Sequence, residues 1–156
     1  MILVAGPSPS VDATPDEERT RVDGVEDLPE TVPPDSVLFV SRRALGDPRI
    51  LVEEACGRTE GPLVTLAVVD SVAEADVDRR LYDGVVAADA DAETVRSAVE
   101  RARRLVSYRE ALDEYYVECS RGRDGTSRVR ADERFAALPA LDADDFTALL
   151  WGDRDG

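Results

Sequence analysis

Gly61-Pro62-Leu63-Val64-Thr65-Leu66-Ala67-Val68-Val69-Asp70 is the stretch on which the fold turns. From Leu63 to Val69 the side chains are apolar save one, and the run is bounded by a Gly-Pro turn signal before and an acid after. A strand with one wet face alternates apolar and polar residues, whereas a run without alternation belongs to a strand covered on both faces. Parallel sheets flanked by helices are built from such strands.

Outward from this segment the same signal recurs. Ser36-Val37-Leu38-Phe39-Val40 is a second continuous run, Gly84-Val85-Val86-Ala87-Ala88 a third, and Ile2 to Ala5 a first strand near the start. Between them lie helical patterns. Asp47-Pro48 reads as an N-cap and first helical position, opening a helix through Ile50, Leu51 and Ala55 that stops at Gly57. Ser71 and Glu74 have capping-box spacing and predict a helix to about Tyr82. Thr14-Pro15-Asp16-Glu17 carries the same signature for a short helix, Thr20 to Val22 reads as a brief edge strand, and Gly24 to Leu28 as one helical turn. Pro29, Pro33 and Pro34 then interrupt the chain. This alternation of strand and helix predicts an α/β fold, a flavodoxin-like parallel sheet.

From Asp91 the pattern changes scale. Val95, Val99, Ala102, Val106, Leu112, Tyr116 and Cys119 recur at three- and four-residue intervals, widened by Ala98, Leu105 and Tyr115, and predict one helix to about Ser120. Such a helix is about 45 Å long, more than one layer of an α/β domain requires. Its second half therefore projects, and Leu105, Leu112, Tyr115 and Tyr116 are the candidate interaction residues. Gly122 to Ser127 reads as a break, followed by two short helices, Ala131 to Leu138 and Asp142 to Trp151. The organisation expected is an α/β domain over 1–105, a small helical module over 106–151 and a disordered tail over 152–156.

Composition limits the chemistry. The 156 residues carry 34 acids against 19 basic residues, every one of the latter Arg, for a net charge of -15 with neither Lys nor His. The acids are interspersed with apolar runs, which argues against an acidic tail and for a surface adapted to a salt-saturated cytoplasm, where short Debye lengths screen the self-repulsion. Without Lys there is no P-loop lysine or Schiff base, and without His no Ser-His-Asp or Cys-His catalysis and no histidine-ligated zinc. Strand one exits through Gly6-Pro7-Ser8-Pro9-Ser10, a poor phosphate cradle because each Pro removes an N–H donor. Asp70 after a strand echoes a Walker B carboxylate with no P-loop to serve. Asp89, Asp91, Glu93 and Glu100 match calcium-loop spacing, but Thr94 stands where Gly is needed, and acids opening a helix explain them equally. No catalytic residue, cofactor or metal site is assigned. Cys56 and Cys119 read as free thiols, and neither a signal peptide nor a membrane span is expected. Arg96, Arg101, Arg103, Arg104 and Arg109 invite a nucleic-acid reading, against which stand the net charge and the i,i+4 partners Glu100 and Asp113.

Taken together, the strands at 2–5, 36–40, 63–69 and 84–88 resemble a response-regulator receiver domain. Pro34-Asp35-Ser36-Val37-Leu38-Phe39-Val40 is similar to the third receiver strand, Gly61-Pro62-Leu63-Val64-Thr65-Leu66 to the fourth and Asp83-Gly84-Val85-Val86 to the fifth. Arg103-Arg104-Leu105-Val106-Ser107-Tyr108-Arg109-Glu110-Ala111-Leu112-Asp113-Glu114-Tyr115-Tyr116 resembles the start of the HalX domain, a helical module attached to receivers in halophilic archaea, and Ala131 to Leu138 its second part. The departures define what the resemblance implies. Gly6 and Pro7 stand where receivers have an acidic pair, Val40 where the phosphoacceptor Asp ends strand three, Ala67 where Thr or Ser follows strand four, and Ala88 at the Lys position after strand five. The implied protein is a degenerate, cytoplasmic pseudo-receiver. It would lack Mg²⁺ and phosphoryl chemistry and contact a protein partner or a second copy through its long helix. The alternative is a DNA-associated transcriptional regulator that uses the Arg-bearing helix.

Overall fold

The computed structural model describes residues 1–8, 18–42, 46–71, 77–78, 80–120, 129–130, 132–133 and 136, the side chains of 118 and 119 excepted. Its elements in chain order are β1 (Ile2–Ala5), β2 (Arg19–Val22), a 3₁₀ turn (Val25–Asp27), β3 (Val37–Ser41), α1 (Pro48–Gly57), β4 (Val64–Val69), β5 (Gly84–Ala87) and α2 (Ala92–Ser120). All five strands pair in parallel in the order β2-β1-β3-β4-β5, which is the flavodoxin-like order. The chain divides into two compact units, Met1–Ala102 and Arg103–Gly156, the division falling within α2.

Register explains the unbroken apolar runs. Ala5, Val40, Ala67 and Val85 form one lateral row of the first unit, continued by Val22 at the edge. Leu3, Ala5, Leu38 and Val40 point to the face covered by Leu51, Val52 and Ala55 of α1. Their neighbours Val4, Phe39, Leu66 and Gly84 make the alternate row on the opposite face. Both faces are shut: β1, β3 and β4 are buried at every position. On that opposite face a Cβ built on Gly84 would lie 2.7 Å from Leu66 Cδ2 and 3.9 Å from Ala102 Cβ, so the absence of a side chain there lets Leu66 fill the row.

Local chemistry sets the helix ends. Asp47 caps α1, its Oδ1 accepting from the Arg49 amide at 2.9 Å, with Pro48 at the first position. At the other end Arg58 Nη1 donates to the Leu28 carbonyl at 2.9 Å, and the Val32 amide to the Arg58 carbonyl at 2.8 Å. The segment between β2 and β3, including the buried Leu28 and Val32, is thereby fastened to α1. Asp91 caps α2 by accepting from the Thr94 amide at 2.8 Å.

One expected element is corrected. The helix predicted from Ser71 to Tyr82 falls partly on residues 72–76 and 79, outside the described ones, but Val77, Asp78, Arg80, Leu81 and Tyr82 are not helical. Asp78 Oδ1 accepts from the Arg80 amide at 3.0 Å and the Asp78 carbonyl from the Leu81 and Tyr82 amides at 3.0 and 3.2 Å, so a separate capped turn starts at Asp78 where the end of the expected helix would lie. Of the helix expected from Ala131 to Leu138, the described residues Asp132, Glu133 and Ala136 are helical, as are Val129 and Arg130 just before it. The helix expected from Thr14, that over 142–151 and the tail over 152–156 lie outside the described residues.

Candidate functional site

In an open parallel sheet the place for a ligand is outside the carboxyl ends of the strands, where the strand order reverses. Here that point lies between β1 and β3. Gly6 leaves β1 with φ 80°, a left-handed turn that suits Gly. Beyond Pro7, the Ser8 side chain is buried and its Oγ has no hydrogen-bond partner. Val40 and Ala67 face each other in register, both buried, and the Ala88 amide donates to the Val69 carbonyl at 2.8 Å. Of the five positions singled out by the receiver resemblance, Gly6 and Pro7 follow β1 and Ala88 follows β5, whereas Val40 and Ala67 lie within β3 and β4, one and two residues short of their ends. None carries a side-chain carboxylate, hydroxyl or amine. Val40 in particular belongs to the apolar cluster under α1. Acids do stand near the carboxyl edge, Asp70 after β4 and Asp89 after β5, both exposed. Among the described residues, however, no group of three or more His, Cys, Asp or Glu side chains could hold a metal ion.

Two grooves flank the first unit's α1. One, of about 360 Å³, opens beyond the carboxyl ends of β2 and β3 and is lined by Asp23, Gly24, Val25, Glu26, Gly46, Asp47, Ile50 and Leu51. Its charges are all negative, and Ile50 is 52% exposed at its mouth, so an anionic ligand finds repulsion there. The other, of about 430 Å³, lies at the amino ends of β4 and β5 and mixes Arg49 and Arg80 with Glu53, Asp78 and Asp83 around Val52, Leu63 and Leu81.

That second groove contains a doubly bridged polar pair, Thr65 and Asp83. The Thr65 amide donates to Asp83 Oδ2 at 2.8 Å, and the Asp83 amide to the Thr65 carbonyl at 2.8 Å. The Thr65 hydroxyl lies 2.8 Å from the Leu81 carbonyl and 3.1 Å from Asp83 Oδ2, so one proton is shared between two acceptors. The bridge latches the entry of β5 to β4. Cys56, on the same groove, has its thiol pushed above the ordinary value by desolvation first and by the Asp83 charge second, which keeps it protonated and weakly nucleophilic. Sequence reading gave no sign of this arrangement. Thr65 and Asp83 are 18 residues apart, and only the β4–β5 pairing brings them together.

The second unit holds the helix residues singled out from sequence. In α2, Leu105 and Ala111 are buried, Leu112 and Tyr115 half-buried, and Tyr116 is 63% exposed. Tyr115 and Tyr116 meet edge to face, with ring centroids 5.8 Å apart at 60°. Tyr108 is held above its ordinary value by desolvation, then by Asp132 and Tyr116, which keeps its hydroxyl protonated. The four candidates therefore divide. Leu105 is internal, and Tyr116 is presented to solvent together with Val117, 48% exposed and passed over in the sequence because it interrupts the three-four spacing. No described helix is long and apolar enough to cross a membrane. The chain matches no protein-family model, no curated protein and no solved structure.

Proposed function

We propose that this chain is a non-catalytic signalling adaptor of the halophilic cytoplasm, a pseudo-receiver that takes no phosphate and works by protein contact through the second half of α2. The observation that carries the proposal is the buried Val40–Ala67 pair of β3 and β4, one strand over from the point where the strand order reverses. A phosphoacceptor must be a solvent-reachable carboxylate with a metal beside it, and this row offers two hydrocarbon side chains inside a closed core. The exposed Tyr116 and Val117 supply what an adaptor needs instead, apolar surface on a long rigid element.

The test has two parts. Incubation of the full chain with acetyl phosphate and Mg²⁺ at high salt is expected to leave its mass unchanged, and a stable phosphoryl adduct overturns the reading. Sedimentation together with affinity capture from a lysate of the native cells is expected to reveal self-association or a bound protein. Either must be lost in Tyr116→Glu/Val117→Glu, and neither appearing in the unaltered chain overturns the reading as well.

A second reading is favoured by the exposure of Arg96, Arg101 and Arg104 on α2, which would suit a DNA-associated regulator. Fluorescence anisotropy with duplex DNA across a salt series decides it, since phosphate contacts must weaken steeply with salt.

A further inference from the structure

The covered side of α2 within the second unit leaves a second stripe opposite it. Val106, Arg109, Asp113 and Tyr116 follow a three-four-three spacing and so share one side of the helix. Ala111, 1% exposed, points the other way. Along the stripe Val106 and Arg109 are half-buried, Asp113 is exposed, and Tyr116 is 63% exposed with Val117 beside it. The order of these four residues is apolar, cation, anion, apolar, which is complementary to its own reversal.

We propose, building on the reading of α2 as an interaction element, that this stripe binds a second copy of itself in antiparallel orientation, about a two-fold axis at the level of Ala111. An antiparallel pair sets Val106 of one copy against Tyr116 of the other, and Arg109 against Asp113, twice over by symmetry. Every layer is then matched. A parallel pair would set Arg109 on Arg109 and Asp113 on Asp113, burying like charges, and is disfavoured. Within one helix Arg109 precedes Asp113, the weaker order for an i,i+4 pair. The flanks agree with the centre: residues 103–109 carry Arg103, Arg104 and Arg109 without an acid, and residues 110–120 carry Glu110, Asp113, Glu114 and Glu118 without a base. The basic half of one copy therefore lies along the acidic half of the other. For a chain of net charge -15 this is the feature that turns general self-repulsion into a specific attraction.

The experiment is sedimentation equilibrium of the full chain in about 1 M KCl, where long-range repulsion is screened, with circular dichroism to verify that each variant stays helical. The unaltered chain is expected to dimerise. Arg109→Asp and Asp113→Arg are each expected to weaken the dimer by roughly tenfold. The doubly swapped Arg109→Asp/Asp113→Arg should recover it, as should an equimolar mixture of the two single variants. A parallel dimer gains nothing from the double swap, since like charges still meet. A monomeric native chain, single variants that dimerise undiminished, or helical single variants that the double swap does not rescue each overturn the proposal. If the native chain is monomeric but retains a different protein from its own lysate through Tyr116, self-pairing fails while the adaptor reading stands.

Discussion

Val40 sits 2% exposed among Leu3, Ala5, Leu38 and the α1 side chains, and a carboxylate at that position would be ionised in a medium that cannot solvate it. Val40→Asp is therefore expected to cost about 3 kcal/mol or more of stability. Chemical denaturation should register that loss without any gain in acetyl phosphate reactivity. A variant as stable as the parent would mean that the edge of the sheet is open to water. Cys56 makes a second residue-scale case. Its thiol is held protonated by desolvation and by Asp83, so alkylation near neutral pH should be slow compared with the same thiol in denaturant. In a Cys119→Ser background, Asp83→Asn should speed the reaction of the folded protein at a given pH, because the lesser of the two causes is removed. The sequence disclosed the apolar character of position 40 but not the Thr65–Asp83 bridge, since a hydrogen bond between residues far apart in the chain has no periodic trace.

Strands and helices were legible to the extent that their own residues determine them. β4 and α1 fall almost where composition and caps place them, because Gly61-Pro62 and Asp47-Pro48 act locally. β2, with the exposed Arg21 and a single buried residue, Val22, is an edge strand and was visible only as a fragment. The region ending at Tyr82 shows the limit. Capping-box spacing at Ser71 is a local preference, and a separate turn capped by the Asp78 side chain starts where the end of that helix would lie. At the start of α2 the local signal and the structure agree, and pH provides the check. The Thr94 side chain, then its amide, stabilise the Asp91 carboxylate and hold that group below its ordinary range. Its contribution is full above about pH 4, where the unfolded chain is also ionised, and is lost as acid takes the pH down through the lower folded value. Asp91→Ala should thus melt below the parent near neutrality, and the gap should close on acidification. A gap that stays constant as the pH falls from neutrality through the acid range would contradict the assignment.

At the scale of the whole molecule the fold and the charge pull in opposite directions. A sheet shut on both faces by small aliphatic side chains is held by apolar burial. That stabilisation is modest per residue when aromatics are only 5% of the chain. Against it stands a net charge of -15 on 156 residues, a field that favours expansion wherever it is unscreened. Between about 0.01 M and 1 M salt the Debye length falls from roughly 30 Å to 3 Å, so distant repulsions vanish while apolar contacts persist. The melting temperature should accordingly rise steeply with KCl over that range. Salt can also strengthen apolar burial, so a charge-specific control is required. Glu18, Glu30 and Glu60 are exposed acids of the first unit, and replacing all three by Gln lowers the negative charge without touching the core. If repulsion sets the salt dependence, this variant should be more stable than the parent at low salt, should respond less to KCl, and should converge with it near 1 M. Parallel salt curves for the two proteins would instead assign the effect to apolar burial and remove the electrostatic case for a high-salt compartment.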